Sequence, residues 1–94
     1  MSEITKVSAT DLPYEDQVMR DLVEYIAEAL VDQPEHVKVV VISGGNSCIL
    51  ELHVHRTDVG KVIGKGGQTA KALRKILSAA ATKLGKKAHL EIIE

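Results

Sequence analysis

The sequence predicts an α+β domain in which three helices cover one face of a three-stranded mixed sheet, in the order α-β-β-α-α-β. Three observations predict it. Two long stretches, before Pro34 and after Gln68, repeat apolar residues at helical spacing. Two β-rich runs flank Gly44-Gly45-Asn46-Ser47, which is turn chemistry. A glycine cluster, Gly64 to Gly67, then separates a short helical pattern from a long one ahead of a last apolar run. The 94 residues, 45% apolar, suffice for one small domain with a modest core.

Residues 1–10 show no period and are expected to form a flexible tail before a single domain over 11–94. Asp11 is the expected cap of the first helix, with Pro13 in its first turn, where a missing N–H costs little. Val18, Leu22, Ile26 and Leu30 are expected to centre its inward stripe, widened by Met19, Val23, Ala27 and Ala29, and Pro34 to stop it. Val37 to Ser43 is β-branched and reads as a strand. Cys48 to Val54 alternates, with Cys48, Leu50, Leu52 and Val54 on one face, and a four-residue turn makes the pair an antiparallel hairpin. Thr57 or Asp58 can cap a short helix that ends at Gly64. The last helix runs from about Gln68 to Leu84, with Ala70, Leu73, Leu77, Ala80 and Leu84 inward and Gly85 as its C-cap glycine. Ala88 to Ile93 is the third strand, and the long helical crossover before it allows a parallel pairing with right-handed connection.

The formal net charge of −1 hides an asymmetry. Residues 1–47 hold three basic residues against nine acids, and residues 48–94 hold nine against four. Between Arg56 and Lys87 the only acid is Asp58, which is the electrostatic footprint expected of a nucleic-acid site. The segment Val62-Ile63-Gly64-Lys65-Gly66-Gly67-Gln68-Thr69-Ala70 lies inside that stripe. Three glycines within four residues let a backbone turn sharply and approach a ligand closely. Lys65 sets a positive charge at the tip, and a helix N-terminus follows, where free N–H groups favour anions. A plain turn between two helices needs one glycine rather than three.

That segment, set between two helices in a β-α-α-β unit, resembles the KH RNA-binding domain. The extra helix and strand precede the unit, which is similar to the type II, prokaryotic arrangement. Leu22-Val23-Glu24-Tyr25-Ile26-Ala27, Gly60-Lys61-Val62-Ile63-Gly64-Lys65 and Thr69-Ala70-Lys71-Ala72-Leu73-Arg74 are similar to the small stand-alone bacterial KhpA family. The resemblance spans about residues 14–94, and the segment before Asp11 is longer than it implies. It implies that Gly64, Lys65, Gly66 and Gly67 clamp the backbone of about four unpaired nucleotides of single-stranded RNA. It implies that Val62, Ile63, Gln68, Thr69 and Ala70 shape the adjoining groove. Lys61, Lys71, Arg74 and Lys75 are near enough in sequence to add phosphate contacts, Lys75 the least of them. It further implies a cytoplasmic RNA chaperone or post-transcriptional regulator, self-associating or paired with a larger KH protein of the KhpB kind. Such pairs act in cell elongation, cell shape and wall growth.

Composition narrows the mode of binding. The only aromatics are Tyr14 and Tyr25, on the first helix, so the sheet cannot stack bases as RNA-recognition motifs do. Bases would meet aliphatic side chains, backbone groups and arginine faces. A nucleotide-hydrolysing P-loop is excluded, because Gly66 stands where its Ser or Thr would follow Gly64-Lys65. The chain is therefore expected to be no enzyme and to need no cofactor. His53 and His55 are expected to share a strand face with His89 nearby, but Cys48 belongs to the opposite face by parity, so no metal site is expected. No apolar run approaches the roughly 18 residues of a membrane span, and no membrane partner is expected. Outside the basic stripe, Val40 or Ile42, Ile49, His53 and Ile93 are expected on the open sheet face, a candidate protein-contact surface.

Overall fold

The computed structural model describes residues 12–94, so the tail and the Asp11 cap lie outside the described residues. The first helix, α1, spans Tyr14–Leu30. Pro13 stands just before it, with no side chain capping the N-terminus. The inward stripe is Asp16, Met19, Val23 and Ala27. It lies one residue, or about 100°, round from the expected centre, which leaves Val18, Leu22 and Ile26 half-buried at the flank and Leu30 exposed. The helix ends before Pro34 is reached, because Val31 turns extended to bury its side chain.

Strands β1, Lys38–Gly44, and β2, Ser47–His53, form the expected antiparallel hairpin. Its connection is tighter than the sequence implied: Gly44 pairs with Ser47, leaving two residues in the turn, with Gly45 at φ +61°. Val39 pairs with Leu52, and Cys48, Leu50 and Leu52 point into the core. After β2 a short turn, Arg56–Asp58, leads into α2, Val59–Ile63. Neither Thr57 nor Asp58 caps it through its side chain. Thr57 N–H donates to His55 Nδ1 (3.2 Å), and the Asp58 carboxylate accepts from Gln33 N–H (3.0 Å).

Helix α3, Gln68–Lys83, buries Ala70, Leu73, Leu77 and Ala81. Ala81 takes the inward place expected for Ala80, again a shift of one residue. Gly85 at φ +74° ends the helix, with Lys86 N–H reaching back to Ala81 O (2.8 Å), as a C-cap glycine should. Strand β3, Lys87–Ile92, pairs parallel to β2, with Leu50 opposite Leu90. The sheet order is β1-β2-β3, so β3 is an edge strand. The fold class is the expected one: three helices and a mixed three-stranded sheet, with Met19, Val23, Leu50, Leu52, Val62 and Leu77 at the centre of the core.

Candidate nucleic-acid interface

The glycine loop owes its shape to the backbone. Gly64 closes α2 at φ +78°, ψ 170°, and its N–H bonds to Gly60 O at 2.8 Å. Gly66 and Gly67 follow in the left-handed region at φ +63° and +74°. All three conformations are ones that L side chains resist. The glycines differ in what surrounds them. A Cβ on Gly64 would overlap Thr69 Oγ1 and lie 2.8 Å from the Thr69 nitrogen. Its bareness therefore lets the first turn of α3 fold back over the end of α2. A Cβ on Gly66 or Gly67 would meet nothing within 4 Å. Their bare backbone is turned outward, where a chain of phosphates could lie against it, and Lys65 stands exposed between them and Gly64.

The other predicted residues divide by burial. Val62 is fully buried and joins the core, so its part is to anchor α2 and not to line a surface. Ala70 is likewise buried. Ile63 and Thr69 are half-buried beside the loop, and Gln68 is exposed. Lys61 is exposed with its amine 3.5 Å from Asp32 on the surface, a contact too weak to hold it there. Lys71 and Arg74 are exposed and share one stripe of α3 with Ser78, by their three- and four-residue spacing. Lys75 lies about 100° round from Arg74 but only about 40° from Lys71, so it flanks the same stripe on the side away from Arg74.

The stripe borders a cavity of about 320 Å³ between α3 and β3, lined by Arg74, Leu77, Ser78, Ala88, His89 and Leu90. Arg74 spans it, with Nε donating to Leu90 O at 3.3 Å. An edge strand presents unpaired backbone donors and acceptors, so β3 supplies polar groups along one wall, the half-buried Ala88 supplies apolar surface, and the buried Leu77 closes the floor. Sequence reasoning missed Ser78, Ala88, His89 and Leu90 as groove residues. The parallel pairing of β3 after α3 was the signal that could have found them, since it places an open strand edge beside the basic stripe.

Two buried carboxylates hold this arrangement together. Asp58 ties the start of α2 to the chain after α1, and the neighbouring Gln33 amide bonds Thr57 Oγ1 at 3.2 Å. Asp16, in the first turn of α1, takes Lys86 Nζ at 3.1 Å with both side chains largely removed from water. That pair pins the α3–β3 connection at the far end of the cavity. It also sits beside Cys48, whose thiol is pushed up from its ordinary range by burial and further by Asp16, against an opposing pull from Lys86. A buried thiol held protonated is a packing residue and not a nucleophile.

The histidines do not gather as expected. His53 ends β2 and His55 lies beyond it in the connection, with its ring edge-on to His36 at 4.9 Å. His89 is opposite Ile49, two register pairs from Glu51 and further still from His53. Among the described residues no three of His, Cys, Asp and Glu form a metal-ligand group. Among the same residues no helix is long and apolar enough to cross a membrane.

With the geometry in place, comparison with known proteins is specific. Residues 20–92 match the sequence profile of the KhpA/KhpB KH domain. The RNA-binding protein KhpA of Halalkalibacterium halodurans is 54% identical over 76 residues, covering 81% of this chain and 100% of the relative. The protein of that name from Aquifex aeolicus is 46% identical over 76 residues, covering 81% and 96%. That of Borreliella burgdorferi is 46% identical over 74 residues, covering 79% and 90%. Among solved structures, Era in complex with MgGDPNP and nucleotides 1506–1542 of 16S ribosomal RNA superposes with a TM-score of 0.60 at 24% identity. The match takes in 87% of this chain and only 31% of Era, and it speaks to the fold alone.

Proposed function

This chain belongs to the KhpA/KhpB family of KH domains, and from that premise we propose that it binds single-stranded RNA through the Gly64-Lys65-Gly66-Gly67 loop. The observation that carries the proposal is the pair of left-handed glycines, Gly66 and Gly67, with open space over them and Lys65 exposed beside them. A backbone so bare can approach phosphates closely, and Lys65 adds charge where they would pass. In this reading about four nucleotides run from the loop along Lys71 and Arg74 of α3, with their bases turned into the α3–β3 cavity. The half-buried Ala88 would pack against a base face over the floor that Leu77 closes from the core, and the outer backbone of β3 would meet base edges. Arg74 would leave Leu90 O, or stack on the base that takes its place.

The chain would act as a cytoplasmic RNA chaperone or post-transcriptional regulator with no catalytic step of its own. One groove of this size holds few phosphates, so a second KH groove on the same RNA would raise apparent affinity by roughly 10²–10⁴. The partner would be a second copy or a larger KH protein of the KhpB kind, and the pathway that of cell elongation and envelope growth. The half-buried Ile42 and Ile49, paired near the hairpin end of the sheet face that no described helix covers, favour a protein contact beside the RNA one.

The test compares a labelled single-stranded RNA with a duplex of equal length by fluorescence anisotropy across a salt series. The single strand should bind more tightly, because the groove needs splayed bases. Its log affinity should fall against log salt with a slope of about −0.7 per phosphate contact. Preference for the duplex, or affinity indifferent to salt, would contradict the proposal.

A further inference from the structure

The only two aromatic side chains of the sequence lie on the helix farthest in chemistry from the RNA surface, and both stand in water. Tyr14 is 71% exposed and Tyr25 is 74% exposed. They are eleven residues apart on α1, which places them about 16 Å apart along the axis and only about 20° apart around it. Asp21 and Glu28 fall on the same stripe by their seven- and three-residue offsets from Tyr14 and Tyr25, and both are exposed. The helix carries five acids and a single base, Arg20. That base is spent within the helix, bound to Asp21 at 2.9 Å and Glu24 at 3.2 Å. The lone acid of α1 that faces inward, Asp16, is occupied by Lys86. Among the described residues the outward face is therefore aromatic and net negative, with Asp21 shared by Arg20, and Glu28 in no ion pair.

This surface repels phosphate, so it is no extension of the RNA groove. Nor does burial explain the rings, since the core is built without them. From the alternation of ring and carboxylate we infer that the outer face of α1 is a docking site for an arginine-rich protein segment. Charge complementarity selects a cation, and the rings select among cations. A guanidinium stacks on a tyrosine face while its fork pairs with a carboxylate, whereas a lysine ammonium is a compact, strongly hydrated charge. An extended peptide rises about 3.3 Å per residue, so about five residues reach from one ring to the other. Because the two surfaces are distinct, the chain could hold RNA on the α2–α3 side and a basic protein segment on α1 at once, which would recruit such a segment to bound RNA.

The experiment uses the full chain and two labelled eight-residue peptides, one alternating Arg and Gly, the other alternating Lys and Gly. Anisotropy should show saturable binding of the Arg peptide at least about fivefold tighter than the Lys peptide, the gain expected from two exposed ring contacts. The variant Tyr14→Ala/Tyr25→Ala should lose that preference and keep its affinity for single-stranded RNA. Both rings are exposed, so the variant should fold, and circular dichroism checks this. Equal binding of the two peptides, or Arg binding that survives the double change, would overturn the inference. So would self-association that the tyrosine variant abolishes with no peptide binding, which would give the face to a second copy of this chain.

Discussion

Gly64 and Gly66 share a positive φ but not a role, and substitution should separate them. Gly64→Ala meets a Gly-only conformation and a collision with the first turn of α3, so it should cost about 2–3 kcal/mol of stability. Gly66→Asp meets only the left-handed conformation, which Asp tolerates better than most residues, and should cost about 1 kcal/mol. Urea denaturation of the two variants measures both, and equal costs would mean that the contact with Thr69 carries no weight. The same geometry shows that paired changes at Lys65 and Gly66 would mix a charge effect with backbone strain, although both residues lie outside the core. The glycines and Lys65 were legible from spacing alone, because three glycines in four residues have few other uses. The contact between Gly64 and Thr69 was not, since nothing in a linear pattern reports how a helix folds back on the one before it. Val62 was read as a surface residue for a related reason: its place next to the loop in sequence says nothing of the direction it points.

At the scale of elements, the number, order and type of helices and strands could be read from period and turn chemistry, but the phase of both long helices could not. On α1 the four-residue repeat of Val18, Leu22 and Ile26 looked like the inward stripe, and the pattern assigned Asp16 to neither face. Burial of Asp16 against Lys86 turns the helix so that Met19 and Val23 face the sheet instead. A long-range ion pair across 70 positions leaves no trace in a window of 18 residues. On α3 the alanines at 79, 80 and 81 gave no contrast by which to choose between Ala80 and Ala81. The observed phase predicts that Leu77→Ala costs about 2–5 kcal/mol and Ile76→Ala less than about 0.5, since Ile76 is half in water. Thermal unfolding of the two variants checks this, and a large loss at Ile76 would mean that another surface covers it. The open edge of β3 also belongs to this scale. Sequence gave the strand but not which neighbour it would lack, and the groove exists because β3 pairs on one side only.

The whole molecule is divided by charge: α1 carries five acids and one base, and most of the basic residues lie on α2, the glycine loop, α3 and the α3–β3 connection. One face can then attract RNA while the other does not compete for it, and a net charge near zero conceals the division. A single groove with few cations predicts weak binding by one copy, so the working form is expected to be at least dimeric. Light scattering over a concentration series, with Ile63→Asp and Ile49→Asp compared, should show which apolar surface carries the contact. The half-buried Ile63 beside the loop is slightly favoured over Ile49 on the open sheet face, and a strict monomer that binds RNA tightly would contradict the expectation. The central claim, that RNA is held at the glycine loop, rests most directly on Lys65, which is exposed and packs against nothing in the core. Affinity for a single-stranded RNA should therefore be measured for the wild-type chain and for Lys65→Asp, with circular dichroism and thermal unfolding alongside. Reversing the charge where phosphates pass should weaken binding by about tenfold or more and leave the fold and its stability unchanged, at the usual worth of a charged contact. Unchanged affinity in a folded Lys65→Asp protein would contradict the claim and move the RNA site away from the loop.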